Sequence, residues 1–175
     1  MRHKQSLEEF KNTKMDYYRE IEIKIAKKYG TVANGTKKSI GDFFLNDNSK
    51  KPVNVKSNNL DKKNYSPNII SAKRLIQWLK QDGNELYFTF VSYKITEERI
   101  KIVTVSDLVP FYNLSWNCLT IQAQGWGIIQ MCKPLDIDMS QDVNDFFRGM
   151  KSAYEKYMDR EAKKVDEIKA MIKDF

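Results

Sequence analysis

Two short apolar runs at residues 40–45 and 53–56 flank the cluster Asn46-Asp47-Asn48-Ser49-Lys50-Lys51-Pro52, and no other stretch limits the fold as much. Runs of this length on either side of turn-forming residues read as a β-hairpin. Such a hairpin brings Asp42 beside Asn54 and Lys56. Asn54 and Lys56 lie two apart and share one face, while Val53 and Val55 turn the other way into a core. An acid, an amide oxygen and a lysine on one exposed edge can hold a Mg²⁺ ion and a water against a phosphodiester. The same residue types also occur on ordinary solvated hairpins, so the spacing alone leaves both readings open.

The segments around the hairpin alternate helix and strand. Residues 6–29 read as a helix with Ser6 and Glu9 as a capping box, a stripe of Phe10, Met15, Tyr18, Ile21, Ile25 and Ala26, and Gly30 as its stop. Residues 31–39 are a polar connection with turn chemistry at Asn34-Gly35. After the hairpin, residues 57–65 read as a basic, amide-rich loop. Its Asn58, Asn59, Lys62 and Lys63 suit either a solvated turn or contacts to phosphates. Ser66-Pro67 is expected to open a helix whose buried stripe is Ile69, Ala72, Leu75, Ile76 and Leu79. Residues 86–95 and 100–105 read as two strands around a Thr-Glu-Glu-Arg turn, extending the hairpin's sheet.

Residues 107–131 are dense in amides and hydroxyls: Asn113, Ser115, Asn117, Gln122, Gln124 and Gln130. Asn and Gln can pair bidentately with adenine, which makes this the favoured base-reading region. A polar-faced strand with Trp116 and Trp126 in the core is the other reading. Ser140 is expected to cap a last helix with Asp142 and Asp145 in its first turn. Phe147, Met150, Tyr154, Tyr157, Val165, Ile168, Ile172 and Phe175 form a long seam that suits either its own sheet or a subunit interface.

Length and charge bound the function. A chain of 175 residues predicts one domain spanning 1–175, and a net charge of +7 favours an anionic partner. No apolar run is long enough for a membrane span, and MRHKQSLEEF lacks the apolar core of a signal peptide, which predicts a cytoplasmic protein. Cys118 and Cys132 read as buried thiols rather than a disulfide or a zinc site. The single histidine, His3, argues against histidine-based catalysis.

Residues 41–79, and above all Pro67-Asn68-Ile69-Ile70-Ser71-Ala72 at its distance from Lys56, resemble the HincII-like type II restriction endonucleases of the PD-(D/E)XK nuclease superfamily. Weaker similarity extends to Ser115-Trp116, to Gln122-Ala123-Gln124 and to the C-terminal helix. The resemblance implies an α/β (α+β) fold with a central mixed β-sheet flanked by helices, and a homodimer that cuts duplex DNA with Mg²⁺ at a short palindrome, GT…AC-like and blunt. It implies Asp42, Asn54 and the Val55 carbonyl as metal ligands and Lys56 as the residue that orients the water. Glu20 matches the helix acid that assists the metal in related nucleases, with Glu22 beside it as the other candidate. Tyr65 falls where a side chain presses into the DNA stack, although core filler is an equal reading. Asn58, Asn59, Lys62, Lys63, Asn68, Ser115, Asn117, Gln122 and Gln124 complete the implied DNA-facing set. A cognate DNA methyltransferase is expected in the same cell.

The chain departs from this pattern at Asn54, where the superfamily has Asp or Glu. An amide keeps an oxygen ligand but removes one negative charge beside a divalent ion. A natural variant compensated by Glu20 or Asp47, a substituted inactive enzyme, and a degenerate enzyme kept for DNA binding all fit. A structure-selective repair nuclease and a non-catalytic DNA-binding module are the alternative functions.

Overall fold

The computed structural model describes residues 7–34, 40–62, 65–96 and 100–173, with side chains described from residue 17 onward. In chain order the elements are α1 (Leu7–Lys28), β1 (Phe43–Phe44), β2 (Pro52–Asn59), β3 (Asn68–Ser71), α2 (Ala72–Leu79), β4 (Tyr87–Ile95), β5 (Ile100–Val105), β6 (Val109–Pro110), β7 (Leu119–Gln122), β8 (Ile128–Met131) and α3 (Val143–Ile172). The protein is therefore mixed α+β, with two sheets and a long C-terminal helix. Two compact units share the chain: Met1–Tyr65 with Trp78–Phe111, and Ser66–Gln77 with Tyr112–Phe175.

The first unit holds a five-stranded mixed sheet in the order β1-β2-β4-β5, with β6 also on β4. The expected hairpin is present: β1 pairs antiparallel with β2, Phe43 opposite Val53 and Phe44 opposite Pro52. β2 then pairs in parallel with β4, Asn54 opposite Phe88 and Lys56 opposite Phe90. Ile21, Ile25 and Ala26 of α1 pack with Phe43, Val53, Val91, Tyr93 and Ile100. Each fully buried aliphatic side chain there contributes roughly 1.5–3 kcal/mol. Gly30, at φ +70, ends α1, and the Thr31 N–H donates to the Ala26 carbonyl at 3.1 Å.

The second unit holds a three-stranded antiparallel sheet in the order β3-β8-β7. α3 lies against β7 through its first half. Phe146 and Met150 are buried, Trp116 Nε1 donates to the Phe146 carbonyl at 2.8 Å, and Arg160 reaches the Ile121 carbonyl at 3.1 Å. Beyond Arg160 the helix keeps its apolar residues in solvent. Val165, Ile168, Met171 and Ile172 are each more than half exposed. The seam thus stops packing on its own unit partway along.

Several local expectations change. Ser66-Pro67 opens no helix: the Met131 N–H donates to the Pro67 carbonyl at 3.0 Å, residues 68–71 form β3 against β8, and helix begins only at Ala72. Ile69 is accordingly a buried strand residue. Asn58 and Asn59 belong to β2, opposite Ser92 and Tyr93, because pairing with a long central neighbour outweighs their turn preference. Asp142, not Ser140, caps α3. It exchanges hydrogen bonds with Asp145 in a full capping box, whereas the Ser140 hydroxyl donates to Asp138 at 2.6 Å. Cys118 is buried but Cys132 is exposed, and both are free thiols. The proposed Ser6–Glu9 cap, the Gly35 turn, the Thr-Glu-Glu-Arg turn, Lys63 and Phe175 fall outside the described residues or side chains. Among the described residues no helix is long and apolar enough to cross a membrane.

Candidate active site

The hairpin delivers Asp42 to β2 through backbone geometry. The Asp42 N–H donates to the Val53 carbonyl at 2.7 Å, and the Val55 N–H donates to Asp42 Oδ2 at 2.6 Å. The acid is therefore clamped to the strand that carries Asn54 and Lys56. Gly41 permits the close approach: a Cβ there would stand 2.6 Å from Pro52 Cβ and 2.9 Å from the Val53 carbonyl oxygen. Asn54 Nδ2 donates to the Ile40 carbonyl at 3.2 Å, which directs its Oδ1 away from that contact. The Lys56 ammonium lies 5.9 Å from the Phe88 ring centroid, within cation–π range.

The helix acid tied to this cluster is Glu22. Partial burial raises its carboxyl pKa, the negative charge of Asp42 raises it further, and Arg19 only partly offsets both. Arg19 bonds Glu22 at 3.1 Å while its other contacts reach the Asn34 carbonyl at 2.7 Å and the Ala33 carbonyl at 3.2 Å. The Asn34 N–H in turn donates to the Asp42 carbonyl. One guanidinium thus ties α1 to the chain entering Asp42. Glu20, expected in this role, instead pairs with Lys24 on the outer face of α1. The phase of the stripe held that signal: Glu22 precedes the buried Ala26 by one helical turn, while Glu20 precedes the exposed Lys24. Asp47 bonds the Thr31 hydroxyl at 3.0 Å.

Asp42 and Glu22 act on each other electrostatically, and together with the Asn54 amide and the Val55 carbonyl on β2 they offer the oxygen donors that could hold Mg²⁺. Two carboxylates whose charges oppose each other in a half-buried site are a place where a divalent cation relieves repulsion. Among the described residues no three His, Cys, Asp or Glu side chains are grouped so as to hold a metal ion.

The remaining predicted residues divide between the units. In the first, Asn58 is half-buried on β2, Asn59 Oδ1 accepts from the Asp61 N–H at 2.9 Å, and Lys62 is exposed in the following turn. The Tyr65 hydroxyl is shut from solvent with no hydrogen-bond partner among the described residues, and burial beside Tyr18 raises its pKa. Its surroundings match the packing reading. In the second unit Asn68 is exposed and accepts from Gln130 Nε2 at 3.2 Å. Gln122 and Gln124 are exposed, and Asn117 is exposed but bonds Asp136 at 3.2 Å. Ser115 is buried and Asn113 is bound to the Asp138 and Gln141 carbonyls, so both serve the fold.

Comparison with known proteins finds no matching protein-family model and no curated protein of significant similarity.

Proposed function

We propose that the chain is a Mg²⁺-dependent endonuclease of the type II restriction kind, acting in the cytoplasm on a short palindrome in duplex DNA. The observation that carries this reading is the 2.6 Å bond from the Val55 N–H to Asp42, which fixes an acid against the Asn54-Val55-Lys56 strand beside Glu22. The resemblance over residues 41–79 and the net charge of +7 support it further.

Asp42 and Glu22 would hold the ion with the Asn54 amide oxygen and the Val55 carbonyl. Bound there, Mg²⁺ supplies positive charge to the scissile phosphate and lowers the pKa of a coordinated water. The Lys56 ammonium stabilises hydroxide and the charge that builds on the phosphorane. Water oxygen bonds to phosphorus as the bond to the 3′ oxygen breaks, and that oxygen takes up a proton. The products are a 5′-phosphate and a 3′-hydroxyl. Asn54 leaves the set one charge short of the superfamily pattern, and Glu22 is the residue that compensates.

The exposed distal half of α3 supports a homodimer, whose two-fold symmetry would match a palindrome. A host methyltransferase that protects the same site is the expected companion. The neutral Asn54 also favours a second reading, a sequence-specific DNA-binding module without catalysis.

Cleavage of plasmid DNA in Mg²⁺ by this chain and by Asn54→Asp, with the ends mapped, separates them. Discrete fragments from both establish an active enzyme with Asn54 as a ligand. Fragments from Asn54→Asp alone mean that the missing charge silences this chain. Folded protein that binds duplex while neither form cuts would leave only the binding module.

A further inference from the structure

Trp126 lies in the connection between β7 and β8 with 73% of its surface in solvent, the most exposed aromatic side chain among the described residues. An indole in water gives up the burial that a core position supplies, so its placement needs a reason. The connection is braced rather than slack. The Gly127 N–H donates to the Gln124 carbonyl at 3.0 Å, the Ala72 N–H donates to the Gly127 carbonyl at 3.1 Å, and the Tyr154 hydroxyl donates to the Trp126 carbonyl at 2.5 Å. Gly125 and Gly127, at φ +56 and +92, make the turn, and a Cβ on Gly127 would crowd the Tyr154 ring at 3.0 Å. Lys73 holds its ammonium 4.7 Å from the indole centroid, and Arg74 is exposed beside it in sequence. Gln122 and Gln124 stand exposed on the same hairpin.

A rigidly presented indole with a cation over one face, neighbouring basic residues and exposed amides has the chemistry of a nucleobase-stacking site. We propose that Trp126 stacks on, or wedges beside, a base of bound duplex DNA, with Lys73 and Arg74 on the adjoining phosphates. A base plane replaces the Lys73 ammonium over the ring, and the released ammonium meets a phosphate. This proposal rests on the DNA reading above and moves the stacking role from Tyr65, whose hydroxyl is buried, to a residue for which the sequence left a core position as one of two readings.

The test titrates fluorescein-labelled duplex DNA with the whole chain, with Ca²⁺ in place of Mg²⁺ to hold back cutting, and follows anisotropy and tryptophan emission together. Wild-type emission is expected to quench on binding. Trp126→Ala should lose that quench and bind about 5- to 100-fold more weakly. Trp126→Phe should recover most of the affinity, and the slope of log affinity against log salt should stay unchanged because no phosphate contact is removed. Trp126→Ala that binds as wild type, or Trp126→Phe as weak as Trp126→Ala, overturns the inference and leaves the DNA reading standing. A wild-type chain that binds no duplex overturns both.

Discussion

Glu22 is a buried-edge carboxylate whose pKa is raised first by desolvation and then by Asp42. Between its ordinary value and its folded value the native protein binds this proton more tightly than the unfolded chain. That contribution is complete below the unfolded pKa and is lost as pH rises through the folded one. Once ionised, the Glu22 carboxylate is therefore less favourable to folding than its protonated form. Glu22→Gln should raise the melting temperature at pH 7 without Mg²⁺ and leave it almost unchanged at pH 4. On the proposed Mg²⁺ site it should also remove most of the stabilisation expected from added Mg²⁺, because a bound ion would stabilise by mass action and this variant would lack one of the proposed ligands. Thermal scans at both pH values, with and without Mg²⁺, check all three outcomes. A wild type and variant that respond equally to Mg²⁺ would remove Glu22 from the site. At the same scale, Asn54→Asp tests charge directly: it should raise Mg²⁺-dependent cleavage, read from plasmid fragments. Trp126→Ala tests stacking through loss of the emission quench.

Among the elements, α3 meets its unit most closely at Gly149. Gly149 faces the Trp116 indole so closely that a Cβ would stand 2.8 Å from Cγ and Nε1, and the same ring packs on Phe146 at 5.2 Å between centroids. Helix propensity alone favours Gly149→Ala by about 1 kcal/mol. Displacing an indole that is held by a hydrogen bond and a ring contact costs about 1–3 kcal/mol, and more where it cannot relax. The clash is with the body of the ring, so the cost wins. Gly149→Ala should lower stability by up to about 2 kcal/mol, seen as a lower urea midpoint with unchanged slope. A gain in stability would show that the indole moves aside freely.

For the whole molecule, the distal part of α3 carries the larger consequence. Met158, Val165, Ile168, Met171 and Ile172 are each at least half exposed, which leaves a run of apolar side chains in solvent along the distal helix. Met158, Val165 and Ile172 repeat every seven residues with Ile168 between, the spacing of a helix-pairing seam. Val165→Lys with Ile168→Lys should convert a dimer to a monomer in sedimentation while leaving the first unit folded. It should reduce double-strand cutting more than nicking, since each copy would cut one strand. A wild type that sediments as a monomer at high concentration would remove the dimer from the proposal.

The local order of the site was legible from the chain itself. Period-two alternation and turn residues placed Asp42 across from Asn54 and Lys56, and the observed register between Phe43 and Val53 agrees with that reading. The C-terminal helix and the acids at its start were equally visible, since such signals depend on neighbours within a turn or two, but the cap itself is Asp142 rather than the expected Ser140. Tertiary structure decided the rest. It drew Asn68-Ile69-Ile70-Ser71 into a strand through β8, a partner distant along the chain, and it set Glu22 near Asp42 while Glu20 pairs with Lys24. It also enclosed the Tyr65 hydroxyl while leaving Trp126 in water. Residue type and spacing report what a side chain can do. Burial and partner are set by which distant backbone and charge arrive beside it, and a single sequence records neither.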